Sequence, residues 1–254
     1  SAYGAEVVLI DGHYSYSYRF AELLAEKYGY ANVTTTYLNP YGTNALKVVG
    51  YELFEQLGGN VPDYVFIPCG SGPLVKGVYQ GFREITRARA AAGGGAAGTG
   101  GEGGRVPKLV AVQAEGCAPV VRAYEAGERT VTAWDEPRTI ASGISDPLIG
   151  YEQDGTYTLE LVRASGGAAV AVSDDEIVEA MRLIARTEAV LAEPTGASSV
   201  AALMRMLRSG AIPPGSTAVC MVTGHGFKDF KVVREMNARY SAPVHRLQDP
   251  QDEA

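Results

Sequence analysis

Two rhythms of apolar residues alternate along this chain. Unbroken runs at Tyr64-Val65-Phe66-Ile67 and Ala218-Val219-Cys220-Met221-Val222 lack any polar alternation. Runs of that length predict strands covered on both faces, as in a parallel sheet. Between them lie segments with helical spacing. Asn44 to Leu57 places Leu46, Val49, Leu53 and Phe54 on one face, and further helices are expected at Tyr18 to Tyr28, Val120 to Gly127, Ser173 to about Thr187 and Ala197 to Arg208. Glu6 to Ile10 reads as one more strand, forming with Tyr18 to Tyr28 the last β-α unit of a small domain. Strands alternating with helices predict an α/β fold: an open, mostly parallel sheet with helices on both faces, plus the remnant of a smaller α/β domain. The expected division is 1–32 for the remnant and 33–240 for the large domain. Within it, 89–105 is an Ala- and Gly-rich flexible insertion, because it buries too little to offset its ordering entropy. Residues 241–254 form a polar, frayed tail.

Two glycine-rich turns follow strand-like runs. Pro68-Cys69-Gly70-Ser71-Gly72 stands between Asp63 to Ile67 and the segment Leu74 to Phe82, giving the order strand, Gly loop, helix. Glycines let the main chain approach an anion, while free N–H groups at a helix start point at it and the helix dipole favours its charge. Pro73 has no N–H, so the donors are Gly70, Ser71, Gly72 and Leu74. Taken alone, the turn is equally well an ordinary strand-to-helix connection. The second turn, Thr223-Gly224-His225-Gly226, puts a hydroxyl at the carboxyl end of a strand, where ligands of open α/β sheets bind. Alone, Thr223 is as readily a turn-starting residue.

In their order along the chain, Pro68 to Phe82, Lys108 to Gly116, Glu193-Pro194-Thr195-Gly196-Ala197 and Thr223 to Asp229 resemble pyridoxal-phosphate enzymes of the tryptophan synthase β-subunit fold, threonine synthase most closely. The resemblance runs from about Tyr3 to about Asp229 and is most specific from Thr139 onward. It implies that pyridoxal phosphate is the cofactor, with its phosphate on the amides of Gly70, Ser71, Gly72 and Leu74 and its pyridine nitrogen on Thr223. A neutral hydroxyl there leaves the ring less electron-withdrawing than a carboxylate would, which suits β- or γ-elimination and replacement. A bulky residue at Gly72 is expected to keep the phosphate away while leaving the strand intact.

The resemblance also marks departures. The family's Schiff-base lysine belongs to a Ser-Phe-Lys-Asp type motif upstream of the Tyr3 to Val8 segment, and that motif does not occur in this sequence. No catalytic residue is therefore assigned, and the chain is expected to be the carboxyl-terminal two thirds of a lyase, inactive alone. Lys76 and Lys228 read as solvated surface charges. Asn39-Pro40-Tyr41 is kept, but Thr36, Tyr37 and Gly42 fall where threonine synthases hold a substrate phosphate, which wants Arg or Lys. Lys47 is the nearby cation. The expected activity is threonine synthase-like conversion of phosphohomoserine. The alternatives are a threonine or serine dehydratase, another β-eliminating or β-replacing enzyme of this fold, or a non-catalytic truncated or partner chain.

Composition narrows the partners. With 254 residues there is ample core, and a formal net charge of −7 argues against nucleic acid or an anionic membrane. The expected partner is a small amino-acid substrate, with a homodimer for the full enzyme. Cys69, Cys117 and Cys220 are isolated in apolar segments, as buried thiols of a cytoplasmic protein are. Metal-ligand spacing is absent. Ser173-Asp174-Asp175-Glu176 reads as a helix cap, the dipole accounting for its acids. His225 is a candidate acid or base whose role in the family is structural or peripheral. His13 belongs to a Tyr-rich polar loop over an interdomain cleft, and Glu193 either faces the cofactor or caps its own helix.

Overall fold

The computed structural model describes residues 2–92 and 105–240. Four strands, β1 (Tyr64–Pro68), β2 (Lys108–Ala114), β3 (Ala168–Val172) and β4 (Ala218–Cys220), form one all-parallel sheet in the order β3-β2-β1-β4. Every residue of β1 is buried, which explains its unbroken apolar run. Alternate side chains serve two cores. Val65, Ile67, Leu109 and Ala111 pack beneath α4 (Pro73–Ala91), α5 (Pro119–Glu125) and α6 (Glu152–Ala164), whereas Tyr64, Phe66, Val110 and Val112 join α7 (Asp174–Glu188), α8 (Pro194–Arg208) and α9 (Phe230–Tyr240). None of the described helices is long and apolar enough to cross a membrane.

The chain runs outward from β1 through β2 to β3, then returns through β4 to the opposite side of β1. Such a reversal opens a crevice beyond the carboxyl ends of the strands that flank it. Both glycine-rich turns leave the sheet there.

Several expected elements differ. Glu6 to Ile10 is not a strand, since no described segment pairs with it, and Val7, Val8 and Leu9 are exposed. The first helix, α1, starts earlier, at Tyr14, and ends at Tyr28. The helix expected from Asn44 is two helices, α2 (Pro40–Ala45) and α3 (Lys47–Gln56). Asn39 starts α2 by accepting the Gly42 amide at 3.0 Å. The break falls at Leu46, whose backbone is pressed by α4: a Cβ on Gly77 would stand 2.8 Å from the Leu46 carbonyl oxygen. Gly81 and Gly50 likewise let α3 and α4 touch backbone to backbone, with 2.9 Å between the Gly81 Cα and a Cβ built on Gly50. The expected insertion begins too early, because Arg89 to Ala91 continue α4; 93–104 and the tail at 241–254 lie outside the described residues. Helices α6 and α9 and strands β2 and β3 are additions to the elements that the sequence pattern predicts.

The Ser173 cap holds. Its Oγ accepts the Glu176 amide at 3.2 Å, and Glu176 Oε2 accepts the Ser173 amide at 2.8 Å. The neighbouring acids are also engaged: Asp174 accepts from Thr139 Oγ1 at 2.6 Å, and Asp175 pairs with Arg239 at 3.0 Å.

Candidate functional site

The loop after β1 is fixed from below and from the side, leaving its amides free. Gln113 on β2 donates to the carbonyls of Cys69 and Gly70 at 3.3 and 3.4 Å, and its Oε1 accepts the amides of Val120 and Val121 at the start of α5. Thr158 on α6 donates to the Ser71 carbonyl at 2.6 Å. The Tyr37 hydroxyl donates to the Gly72 carbonyl at 3.0 Å and stands 2.9 Å from Thr158 Oγ1. Tyr37 is itself positioned by its amide, which donates to Asp154 at 3.1 Å. These bonds to the loop all take carbonyl oxygens. Among the described residues, the amides of Gly70, Ser71, Gly72 and Leu74 donate to nothing, so four N–H groups at the start of α4 remain for an external anion.

Gly72 is required for its own reasons. Its φ of +110° lies where side chains are strained, and a Cβ there would stand 2.0 Å from Thr158 Oγ1. A bulky residue at 72 therefore breaks the loop itself, which corrects the expectation of a selective block.

The second turn lies alongside. Phe66 of β1 pairs with Cys220 of β4, and the Met221 amide donates to the Phe66 carbonyl at 3.0 Å, so both chains enter their turns side by side. Thr223 is exposed at the mouth of the crevice. The start of α8 supports this turn closely: a Cβ on Gly196 would lie 2.9 Å from the Thr223 amide nitrogen, and Glu193 lies over Gly224, its amide donating to the Gly224 carbonyl at 2.9 Å. Glu193 does not cap α8 with its side chain; it pairs with Lys228 at 3.1 Å, beside the glycine turn. His225 is tied into its own turn. Its Nδ1 accepts the Phe227 amide at 3.2 Å, and its ring packs on Phe227.

Lys228 is an exposed charge, as expected, whereas Lys76 is not. Lys76 is half-buried, its ammonium 5.4 Å from the Tyr37 ring centre and 5.6 Å from that of Tyr157. Lys228 serves the buried Glu193. Lys47 is held by Glu84 at 3.0 Å, and Glu84 lies about 15 Å along α4 from Leu74 at 1.5 Å per residue. Thr36, expected near a substrate, is buried.

Sequence analysis missed Gln113, Thr158, Asp154 and Asp146, which come from distant segments and carry no local motif. Asp146 is buried against the loop, its carboxylate oxygen Oδ2 3.3 Å from where a Gly70 Cβ would be. Its Oδ1 accepts the Tyr151 hydroxyl and the Leu148 amide, the latter at 3.2 Å. Burial pushes its pKa up, against the lowering effect of those two donors. Burial also raises the thiols of Cys69, Cys117 and Cys220 to about 12, with the Asp146 charge adding to the first two. Cys220 is half-buried rather than enclosed. Helix α1 closes on this corner: Tyr18 stacks on Tyr151 at 4.1 Å, and Ser15 accepts the Ile149 amide at 3.2 Å. His13 stacks on Tyr16, and its buried Nδ1 has no hydrogen-bond partner.

A doubly covered parallel sheet with undonated loop amides at its strand reversal defines an open α/β protein with ligand-ready turns at its crevice. The chain belongs to the pyridoxal-phosphate dependent enzyme family, whose model matches residues 1–224. Among its relatives is threonine synthase of Methanocaldococcus jannaschii, 33% identical over 228 residues, covering 89% of this chain and 52% of the relative. Threonine synthase of Halalkalibacterium halodurans is 34% identical over 227 residues, covering 89% and 56%. The chain thus spans about half the length of the curated relatives it matches. Among solved structures, the processed form of threonine deaminase isoform 2 from Solanum lycopersicum superposes with a TM-score of 0.71 at 22% identity, covering 95% of this chain and 62% of that one. That likeness supports the fold alone.

Proposed function

We propose that this chain is the cofactor-binding part of a pyridoxal-phosphate lyase of threonine synthase type. The observation that carries it is the set of four undonated amides at Gly70, Ser71, Gly72 and Leu74, held open at the strand reversal next to Thr223. The cradle suits a phosphate: it offers donors only, and it stands at a helix start. Bound there, the cofactor supplies an electron sink for a substrate carbanion. The chain's own part is to fix the phosphate on the loop, to meet the ring nitrogen with the Thr223 hydroxyl, and to hold the 223–226 turn through Glu193. Residues 1–32 belong to a second, smaller domain that closes on the large one through Tyr18 and Tyr151.

Lys47 is tied to Glu84, Lys228 to Glu193, and Lys76 lies against the Tyr37 and Tyr157 rings, so the chain holds the cofactor reversibly. Titration with pyridoxal phosphate followed by borohydride reduction and peptide mapping tests this. The expected result is saturable binding without a reduced adduct, and a stable adduct on one lysine of this chain overturns it.

A dehydratase or deaminase is the second reading. It is favoured by the lack of a Lys or Arg at positions 36, 37 and 42 themselves and by the tether of Lys47 to Glu84. A second solved threonine deaminase, from T.th., is similar at 26% identity with a TM-score of 0.64.

A further inference from the structure

The amides of the Gly70 to Leu74 loop attract an anion, yet a carboxyl group stands against the loop's first glycine. Asp146 Oδ2 lies 3.3 Å from the position of a Gly70 Cβ. Its partner oxygen Oδ1 takes both available donors, Tyr151 and Leu148. Oδ2 has no hydrogen-bond partner among the described residues. It is not among the sealed unpartnered side-chain atoms either, so it opens to solvent beside the loop.

An ionised carboxylate there would repel a phosphate dianion, while a protonated one can donate to it. We propose that Asp146 is a positioning residue of the phosphate site that carries a proton when phosphate is bound, donating through Oδ2 to the ligand, so that phosphate and proton bind together. The inference rests on the loop being the phosphate site.

The surroundings favour a proton on this group. Among the described residues no lysine or arginine is hydrogen-bonded or ion-paired to it. Its titratable neighbours are the buried thiols of Cys69 at the end of β1 and Cys117 after β2, the phenols of Tyr151 and of Tyr14 on α1, the carboxyl of Asp154 on α6, and His13. Burial and Asp154 both raise the Asp146 pKa; Tyr151, Leu148 and His13 oppose them. A like charge within ~4–6 Å moves a titration by one unit or more. By reciprocity, phosphate affinity then differs about tenfold between the two charge states of Asp146. Folded-state protonation is raised, so the strong-binding form is present below the Asp146 pKa and is lost as pH rises through it.

The test is calorimetric titration of pyridoxal phosphate, and separately of inorganic phosphate, into this protein across pH. Each is run in two buffers of different ionisation enthalpy, and the wild type is compared with Asp146→Asn. The expected result is proton uptake in the wild type beyond that of Asp146→Asn, with the variant's affinity about tenfold higher at the alkaline end. Tyr151→Phe, which removes a donor that favours the carboxylate, shifts the wild-type midpoint to higher pH and keeps the test alive if Asp146→Asn does not fold. Equal proton uptake in wild type and Asp146→Asn, or an unmoved midpoint in Tyr151→Phe, overturns the inference while leaving the loop assignment standing. Absence of phosphate binding in every form overturns the loop assignment and the inference with it.

Discussion

Thr158 closes on Gly72. Its Oγ1 would stand 2.0 Å from a Cβ at position 72, where φ is +110°. Gly72→Ala is expected to cost about 2–4 kcal/mol, from the strained φ and the overlap together. Urea unfolding gives the measurement, the midpoint falling at unchanged slope. An unchanged midpoint would mean that the loop rearranges freely.

The same Thr158 hydroxyl donates to the Ser71 carbonyl and touches the Tyr37 hydroxyl. Thr158→Val keeps the shape and leaves that buried carbonyl without its donor, so a loss of about 1–3 kcal/mol is expected, with weaker pyridoxal phosphate binding. Thr158→Ser should recover most of both. Comparable losses in the two variants would assign the effect to packing.

Acid stability should depend on Glu176. Burial opposes its ionised form, but Arg205, at 2.6 Å, and the Ser173 amide outweigh it and hold the carboxyl below its usual range. The folded pKa is therefore depressed. The stabilisation is complete above the unfolded value of about 4.3 and is lost as pH falls through the folded one. Thermal melts between pH 3 and 7 should show a shallower acid slope for Glu176→Gln than for the wild type.

Substrate choice turns on two lysines. In the full-length enzyme, Lys47→Ala should change KM for phosphohomoserine by less than about twofold, because its partner is the exposed Glu84. Lys76 lies between Tyr37 and Tyr157 with no acid paired to it among the described residues. If a substrate phosphate binds beside Tyr37, Lys76→Met should raise KM about tenfold, the worth of one charge-assisted contact. Deamination of threonine or serine, measured side by side and unaffected by either change, would place the enzyme among the dehydratases.

Local chemistry alone determined a good deal of this protein. Unbroken apolar runs declared two of the four strands, β1 and β4, because a strand covered on both faces has no polar side to show. Ser173 and Glu176 announced the start of α7, since a capping box closes within four residues. The order of the glycine turns pointed to the family. Strand β3 escaped, its Ala-Ala-Val-Ala-Val too small and too bland to separate from a loop. Glu6 to Ile10 has strand composition, but a strand exists only through a neighbour to pair with. Leu46 interrupts a helix that its own periodicity would continue, because Gly77 brings α4 onto its backbone. Tyr37, Gln113 and Thr158 reach the loop from 35, 43 and 87 residues away in sequence, Asp146 comes from a distant segment too, and nothing in their own segments records the destination. That arrangement belongs to the packing of α6 and β2 against β1, which the tertiary structure alone decides, because close contact between distant backbones leaves no periodic trace in either one.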